Sequence, residues 1–179
     1  LSKFIFSEKD IREIIYQIFV KNDLCNLIYS ETGYKYSIDF CTAYETRHID
    51  VDDQKYRWFA NHWHRDKPFS KNTLKIIIPM ETITESHGGI EIKKKKNDVN
   101  FFKMVSKTRD LLAFFPNRCY HKAGNPDSKL IRKQIMFQLN PSNDWKMNEK
   151  ISNRQYFTEP KFPLLTYLFD KKKKLNELI

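Results

Sequence analysis

The sequence predicts a mainly β fold, a double-stranded β-helix of the jelly-roll or cupin-like type with a flanking helix at each end. Three observations predict it: short strand-like runs recur along the chain, turn residues separate them, and no helical pattern of crossover length lies between them. That spacing favours an antiparallel sandwich or jelly roll over a doubly wound parallel sheet. At 179 residues the chain is long enough for a sizeable core, so residues 1–179 are expected to form a single domain.

The two flanking helices have separate signals. Ser7 and Asp10 have the spacing of a capping box, and the apolar residues that follow recur at helical spacing, which predicts an amphipathic helix over 7–21. Towards the other end, Pro160 and Pro163 precede a second apolar stripe that ends in the lysines 171–174. Cations suit a helix C-terminus, so this segment is expected to form a helix that packs outside the barrel.

Six runs of alternating or β-branched residues between these helices predict short strands. Gly88-Gly89 and Pro116-Asn117 break ladders or accept positive φ, so they are expected to mark hairpin loops. Segments 42–54 and 93–107 are expected to be loops that set specificity. Lys75 could reach into the site, but a solvated strand face is the more ordinary expectation for it. The predicted strands cover 34–40, 55–63, 73–79, 89–93, 111–115 and 131–139.

The charge of the chain indicates anionic partners. Lysine and arginine exceed aspartate and glutamate by 32 − 22 = 10, and two lysine runs, 93–96 and 171–174, concentrate that excess. Nucleic acid, an acidic membrane surface, or a carboxylated or phosphorylated small molecule would each be attracted. Charge alone does not choose among them.

The cysteines and the hydropathy indicate the compartment. Cys25, Cys41 and Cys119 are odd in number and lack C-x-x-C spacing, so neither a disulfide framework nor a tetrahedral zinc site is indicated. Cys119 is expected to be a small buried hydrophobe. No apolar run approaches the roughly 18–20 residues that span a bilayer, so we expect a cytoplasmic protein without a membrane span.

The most informative feature is the pair His64 and Asp66, followed 57 residues later by His121. If 62–66 is a strand, positions i and i+2 face the same side about 6.6 Å apart along the chain, so an imidazole and a carboxylate can reach one ion. A histidine from a distant strand would complete a 2-His-1-carboxylate set. That set leaves coordination positions open and is typical of non-haem Fe(II) oxygenases, so we interpret His64, Asp66 and His121 as metal ligands.

Ordinary explanations compete with this interpretation. Taken alone, His64 and Asp66 also fit a strand with a surface ion pair to Arg65 or Lys67. His62 has same-face spacing with His64, but a third nitrogen beside Asp66 would close the positions that oxygen needs. We therefore expect His62 to lie next to the site without binding the ion.

Several segments together resemble the phytanoyl-CoA dioxygenase-like family of Fe(II)/2-oxoglutarate-dependent oxygenases. The resemblance covers residues 56–142, about half of the chain, and it rests on the order and spacing of short motifs. The matching segments are Trp-His-Arg-Asp at 63–66, Leu-Lys-Ile-Ile-Ile at 74–78, Gly-Gly-Ile at 88–90, Asp-Leu-Leu-Ala-Phe-Phe at 110–115, and His-Lys-Ala-Gly-Asn-Pro at 121–126 with Arg132.

The resemblance implies a double-stranded β-helix, Fe(II) and 2-oxoglutarate, with Arg132 pairing the far carboxylate of that cosubstrate. A guanidinium presents a planar fork that matches a carboxylate, which suits this role. The turn after Gly124 would allow His121 and Arg132 to lie on successive strands and both face inward. Ala123 lies where some members of the family have serine, so one cosubstrate hydrogen bond is either absent or supplied elsewhere.

The predicted function is hydroxylation of a C–H bond in a small molecule, an anionic one included, with release of succinate and CO2. Two alternatives stay open from the sequence. The same chemistry could act on a nucleic-acid or protein substrate, as the net charge and the lysine runs suggest. A non-catalytic cupin-like binding module would have the same fold with a vestigial site or another metal.

Overall fold

The computed structural model describes residues 2–4, 7–50, 59–66, 69–108 and 110–152. Helix α1 spans Glu8–Ile15, continues as a π-helical segment at Tyr16–Lys21, and is followed by α2 at Leu24–Thr32. The capping box at the start of α1 is confirmed, because the Ser7 hydroxyl accepts from the Asp10 amide at 3.2 Å and the Asp10 carboxylate accepts from the Ser7 amide at 3.0 Å. The predicted N-terminal helix is therefore present, with a wider last turn and a second helix after it.

The described strands form two sheets. The larger sheet has the order β1-β2-β8-β3-β6, and β9 pairs in parallel with the N-terminal half of β2; the smaller sheet has the order β5-β4-β7. All the other strand pairs are antiparallel. The strands are β1 (Ser2–Phe4), β2 (Lys35–Arg47), β3 (Leu74–Pro79), β4 (Glu91–Lys93), β5 (Phe102–Lys103), β6 (Leu112–Phe114), β7 (Tyr120–Lys122), β8 (Ile131–Ser142) and β9 (Lys146–Ser152).

The larger sheet separates two cores, because residues opposite one another in adjacent antiparallel strands project to the same face. On the outer face, Ile76 lies opposite Phe137, and both pack against helices α1 and α2. On the inner face, Ile77 lies opposite Met136 and Leu112, and these side chains share a smaller cluster with Ile92 of the smaller sheet. The smaller sheet therefore covers the inner face of the larger one.

The predicted mainly β class is confirmed, whereas some predicted boundaries are wrong. Neither sheet closes on itself within the described residues. Residues 59–61 of the predicted strand 55–63 form a 3-10 turn instead, and 42–47 of the predicted loop 42–54 continue strand β2. The predicted C-terminal helix and the lysines 171–174 lie outside the described residues. None of the helices in the described ranges is long and apolar enough to cross a membrane.

Phe137 tests the outer core. Its side chain is 0% exposed, and its ring meets that of Phe19 edge-on at 5.1 Å between centroids. Phe137→Ala should lower the free energy of unfolding in urea by about 3–5 kcal/mol, because the deletion leaves a cavity between sheet and helix. Val20→Ala, at a side chain that is 58% exposed in the same helical layer, should change it by less than about 0.5 kcal/mol. Equal effects of the two substitutions would contradict this packing.

Candidate metal centre

One backbone pairing brings the two histidines together. The amide of His64 donates to the carbonyl of His121 at 3.1 Å, and the amide of His121 donates to the carbonyl of His64 at 3.0 Å. This isolated antiparallel bridge joins His64 to strand β7, which contains His121 and also pairs with β4. The amide of Asp66 donates to the carbonyl of Pro116 at 3.2 Å. In the predicted strand 62–66 only His64 pairs in this way.

The three predicted ligands converge on one another. The Nε2 atoms of His64 and His121 lie 3.4 and 3.5 Å from Oδ1 of Asp66, and the two ring centroids are 4.3 Å apart. One nitrogen or oxygen from each of the three residues lies within 4.8 Å of the others. Two nitrogens and one carboxylate oxygen so placed could hold a metal ion.

The imidazoles present their Nε2 atoms for different reasons. Nδ1 of His64 donates to the carbonyl of His62 at 2.6 Å, because a carbonyl only accepts, so Nε2 is the nitrogen that the neutral imidazole would offer to a metal. His121 is buried; its Nδ1 has no hydrogen-bond partner among the described residues, and its Nε2 has only the 3.5 Å contact with Oδ1 of Asp66. Burial lowers the pKa of His121, which favours the neutral imidazole that a metal requires.

Lys75 contacts Asp66 and does not lie on the solvated strand face that was the ordinary expectation from the sequence. Its ammonium bonds Oδ2 of Asp66, and the two side chains are only 13% and 12% exposed. Burial raises the pKa of Asp66, but the ammonium of Lys75 and the imidazoles of His121 and His64 lower it more strongly, so the pKa is well below its ordinary value. The expected solvated face for Lys75 is therefore wrong: the lysine faces the candidate centre.

Arg132 lies on the inner face of β8 and is 2% exposed. Its Nη1 donates to the carbonyls of His87 and Gly124 at 3.2 and 3.1 Å, whereas its Nε has no partner among the described residues. Burial lowers the pKa of Arg132. Its described hydrogen bonds are thus to backbone carbonyls, and none of them joins it to His64, Asp66 or His121.

A row of buried polar side chains accompanies Arg132, and the sequence analysis missed it. Thr46 lies directly opposite Arg132, and Tyr44 lies opposite Gln134, whose amide bonds the Tyr44 hydroxyl. The hydroxyls of Thr42 and Thr46 are buried without a described partner. The alternation of Thr42, Tyr44 and Thr46 with apolar Ala43 was the signal that β2 continues here with a polar inner edge.

Three other candidate residues have ordinary surroundings. The side chain of His62 is exposed and lies outside the group of donors. Cys119 packs against the inner core, and its thiol bonds the carbonyl of Phe115 at 3.2 Å. The first lysine of the run 93–96 is engaged by the protein itself, since the Lys93 ammonium lies 4.3 Å from the centroid of the Trp63 ring.

Comparison with known proteins gives structural matches only. No protein-family model and no curated sequence matches this chain. Solved structures do match: EvdMO1 (TM-score 0.50, 16% identity, 69% of this chain and 32% of that one) and AviO1 from Streptomyces viridochromogenes Tue57 (0.52, 13%, 72% and 61%). A third is the nickel complex of the non-heme monooxygenase ThoJ (0.52, 8%, 87% and 72%).

These matches show a shared fold. The chain spans about a third of the length of EvdMO1 and about three fifths of that of AviO1. At identities between 8% and 16%, the likeness concerns the path of the backbone and leaves the chemistry to be argued from the site.

Asp66→Asn tests the buried pair with Lys75. Removing one partner of a buried ion pair leaves the other charge uncompensated, so the metal-free protein should lose about 3 kcal/mol of unfolding free energy. The matched control is Asp144→Asn, because Asp144 pairs with Lys35 at 3.4 Å on the surface with 81% of its side chain exposed. That change should cost less than about 0.5 kcal/mol. Chemical denaturation in the presence of a chelator measures both, and a loss from Asp66→Asn as small as the control's would contradict the described burial.

Proposed function

We propose that this chain is an Fe(II)/2-oxoglutarate-dependent dioxygenase of the phytanoyl-CoA dioxygenase-like type, which hydroxylates a C–H bond of a small molecule. The observation that carries the proposal is the convergence of His64, Asp66 and His121. Their donor set is the 2-His-1-carboxylate triad that non-haem Fe(II) oxygenases use, and it leaves coordination positions for other ligands.

The local chemistry of these side chains fits a ferrous ion. Nδ1 of buried His121 has no described partner, and its Nε2 has only the 3.5 Å contact with Oδ1 of Asp66, so a metal ion bound at Nε2 would satisfy a buried nitrogen that is otherwise poorly bonded. The bond from Nδ1 of His64 to the His62 carbonyl directs its Nε2 to the same point. In the proposal, His64, Asp66 and His121 hold Fe(II), and the ion supplies the activation of O2 that amino-acid side chains cannot provide.

The sheet order supports a double-stranded β-helix as the fold of this proposed enzyme. Strands β2, β8, β3 and β6 lie side by side in one sheet, while β5, β4 and β7 lie in the other, with the His64 bridge beyond β7. Consecutive strands thus alternate between the two sheets through much of the chain, as a jelly roll requires. The structural likeness to a non-heme monooxygenase solved as a nickel complex supports a metal-dependent oxygenase as the proposed activity.

The proposed binding site for 2-oxoglutarate lies on the inner face of strands β2 and β8, next to the pair Thr46 and Arg132. There, Nε of Arg132 and the hydroxyl of Thr46 face the same side from opposite positions, and neither has a described partner. A carboxylate accepts from a guanidinium and from a hydroxyl at once. Thr46 would thereby supply the hydroxyl that Ala123 lacks.

The residues of the chain then have separate tasks. The two imidazoles and the carboxylate would hold the ion and would leave its other coordination positions open. Arg132 and Thr46 orient the cosubstrate through its far carboxylate. The apolar inner cluster, which includes Phe114 at 5.1 Å from the His121 ring, excludes water from the side of the site nearest the sheet interior. The products would be the hydroxylated substrate, succinate and CO2.

The metal ligands provide the first test. His64→Ala, Asp66→Ala and His121→Ala should each lower 2-oxoglutarate turnover to background and remove the visible charge-transfer band of the anaerobic complex with Fe(II) and 2-oxoglutarate. His62→Ala, at the exposed neighbour, should keep both. Succinate release and anaerobic absorbance titration measure these outcomes. Absence of the band in the wild-type protein at saturating ligand would overturn the proposal, and zinc bound without any response to iron would favour a binding module.

Arg132 provides the second test. Arg132→Lys keeps the charge but loses the planar fork, so the KM for 2-oxoglutarate should rise at least about tenfold, while the affinity for Mn²⁺ stays within about twofold of wild type because no described contact links Arg132 to the triad. Steady-state kinetics and Mn²⁺ titration measure the two effects. An unchanged KM would remove Arg132 from the proposed cosubstrate site.

A further inference from the structure

We propose that Lys75 is a positioning residue of the metal centre: its ammonium holds one oxygen of Asp66, so that the other oxygen alone faces the two imidazoles. This inference rests on the proposed metal site and adds a residue that the 2-His-1-carboxylate pattern does not contain.

The two oxygens of Asp66 are already divided between different partners. Oδ1 lies 3.4 and 3.5 Å from the Nε2 atoms of His64 and His121, whereas Oδ2 bonds the ammonium of Lys75. A carboxylate that is held in this way offers a metal one oxygen and is restrained from rotating to offer two. An ion held by Oδ1 and the two imidazole nitrogens would thus take one oxygen of Asp66 instead of two, which would leave more of its coordination positions for other ligands.

Lys75 reaches the centre from the opposite sheet. On β3 it lies opposite Phe114 of β6 and Gln138 of β8, which places it on the inner face. Phe114 contacts the ring of His121 from the same face. The lysine therefore links the larger sheet to the segment that carries Asp66, and it does so with a charge that is only 13% exposed.

The charge of Lys75 also alters the electrostatics of the donors. Two neutral imidazoles and one carboxylate carry −1, and the ammonium brings the total to 0. A divalent ion bound beside Lys75 is therefore held less tightly than by the triad alone, while the loaded centre has a net charge of +2 and attracts an anionic chelating ligand more strongly. Lys75 would thus lower the affinity of the centre for the metal ion. It would also keep coordination positions open and raise the affinity for an anionic ligand.

The test is Lys75→Met, a neutral side chain of similar length. Mn²⁺ should bind the metal-stripped variant at least about tenfold more tightly than wild type, because the repelling charge is gone and Asp66 can offer a second oxygen. 2-Oxoglutarate should bind the Mn²⁺-loaded variant at least about tenfold more weakly, because it loses an open position and a nearby cation. Calorimetric titration measures both dissociation constants without turnover. A purely structural role for Lys75 would weaken both, so looser or unchanged Mn²⁺ binding overturns the inference.

Two control variants separate charge from general damage. Lys75→Arg keeps the cation and should stay within about threefold of wild type for Mn²⁺. Lys35→Met removes the lysine of the exposed pair with Asp144 and should change neither constant. If Lys75→Met is unfolded without metal, Lys75→Gln replaces it, because its neutral amide can still donate to Oδ2 of Asp66 while the charge is removed. Mn²⁺ should then bind Lys75→Gln more tightly than wild type, and looser or unchanged binding overturns the inference.

The same titration distinguishes this inference from the proposed function. His64→Ala and His121→Ala should abolish Mn²⁺ binding. If they bind Mn²⁺ as wild type does, the metal centre itself is wrong. If they lose it while Lys75→Met fails to tighten it, only the role of Lys75 is wrong.

Discussion

The pairing of His64 with His121 is the interaction on which the candidate site depends. Two backbone hydrogen bonds of 3.1 and 3.0 Å join positions 57 residues apart in sequence. Each such bond contributes only about 1 kcal/mol net, so the pairing depends on its surroundings: β7 is also held by β4, and the amide of Asp66 is held by Pro116. If the pairing of His64 with His121 shifted by one residue, one imidazole would turn to the other face of the sheet. The donor atoms of His64, Asp66 and His121 would then no longer lie close together.

A close approach of backbones positions the neighbouring segment. A Cβ at Gly124 would lie 2.6 Å from the carbonyl oxygen of Gly89, so only glycine allows the chain after β7 to lie against the turn before β4. Arg132 then spans the same junction, since its Nη1 donates to carbonyls on both sides of it. These backbone contacts fix the guanidinium, which would reduce the entropy cost of binding the proposed cosubstrate.

Local and periodic signals predicted part of this molecule. The capping box of α1 depends on neighbouring residues and was predictable, and so was β3. Helix α2 was not predicted. It begins after Asp23, which has a left-handed conformation (φ 58°) and makes no side-chain capping hydrogen bond, so the usual sequence signal for a helix start does not apply. Lys75 was misassigned although the nearly continuous apolar run of β3 indicates a strand buried on both faces, where a lysine needs a buried anion. The spacing of His64, Asp66 and His121 suggested their convergence, but the partners of Arg132 depend on tertiary contacts that no local pattern encodes.

The most direct measurement of the central claim is anomalous diffraction at the manganese absorption edge from a crystal of the Mn²⁺-loaded protein. The account predicts one strong peak at roughly 2.0–2.3 Å from Nε2 of His64, Nε2 of His121 and Oδ1 of Asp66, with Oδ2 still bonded to Lys75. A peak elsewhere, or none between these three side chains, would contradict it.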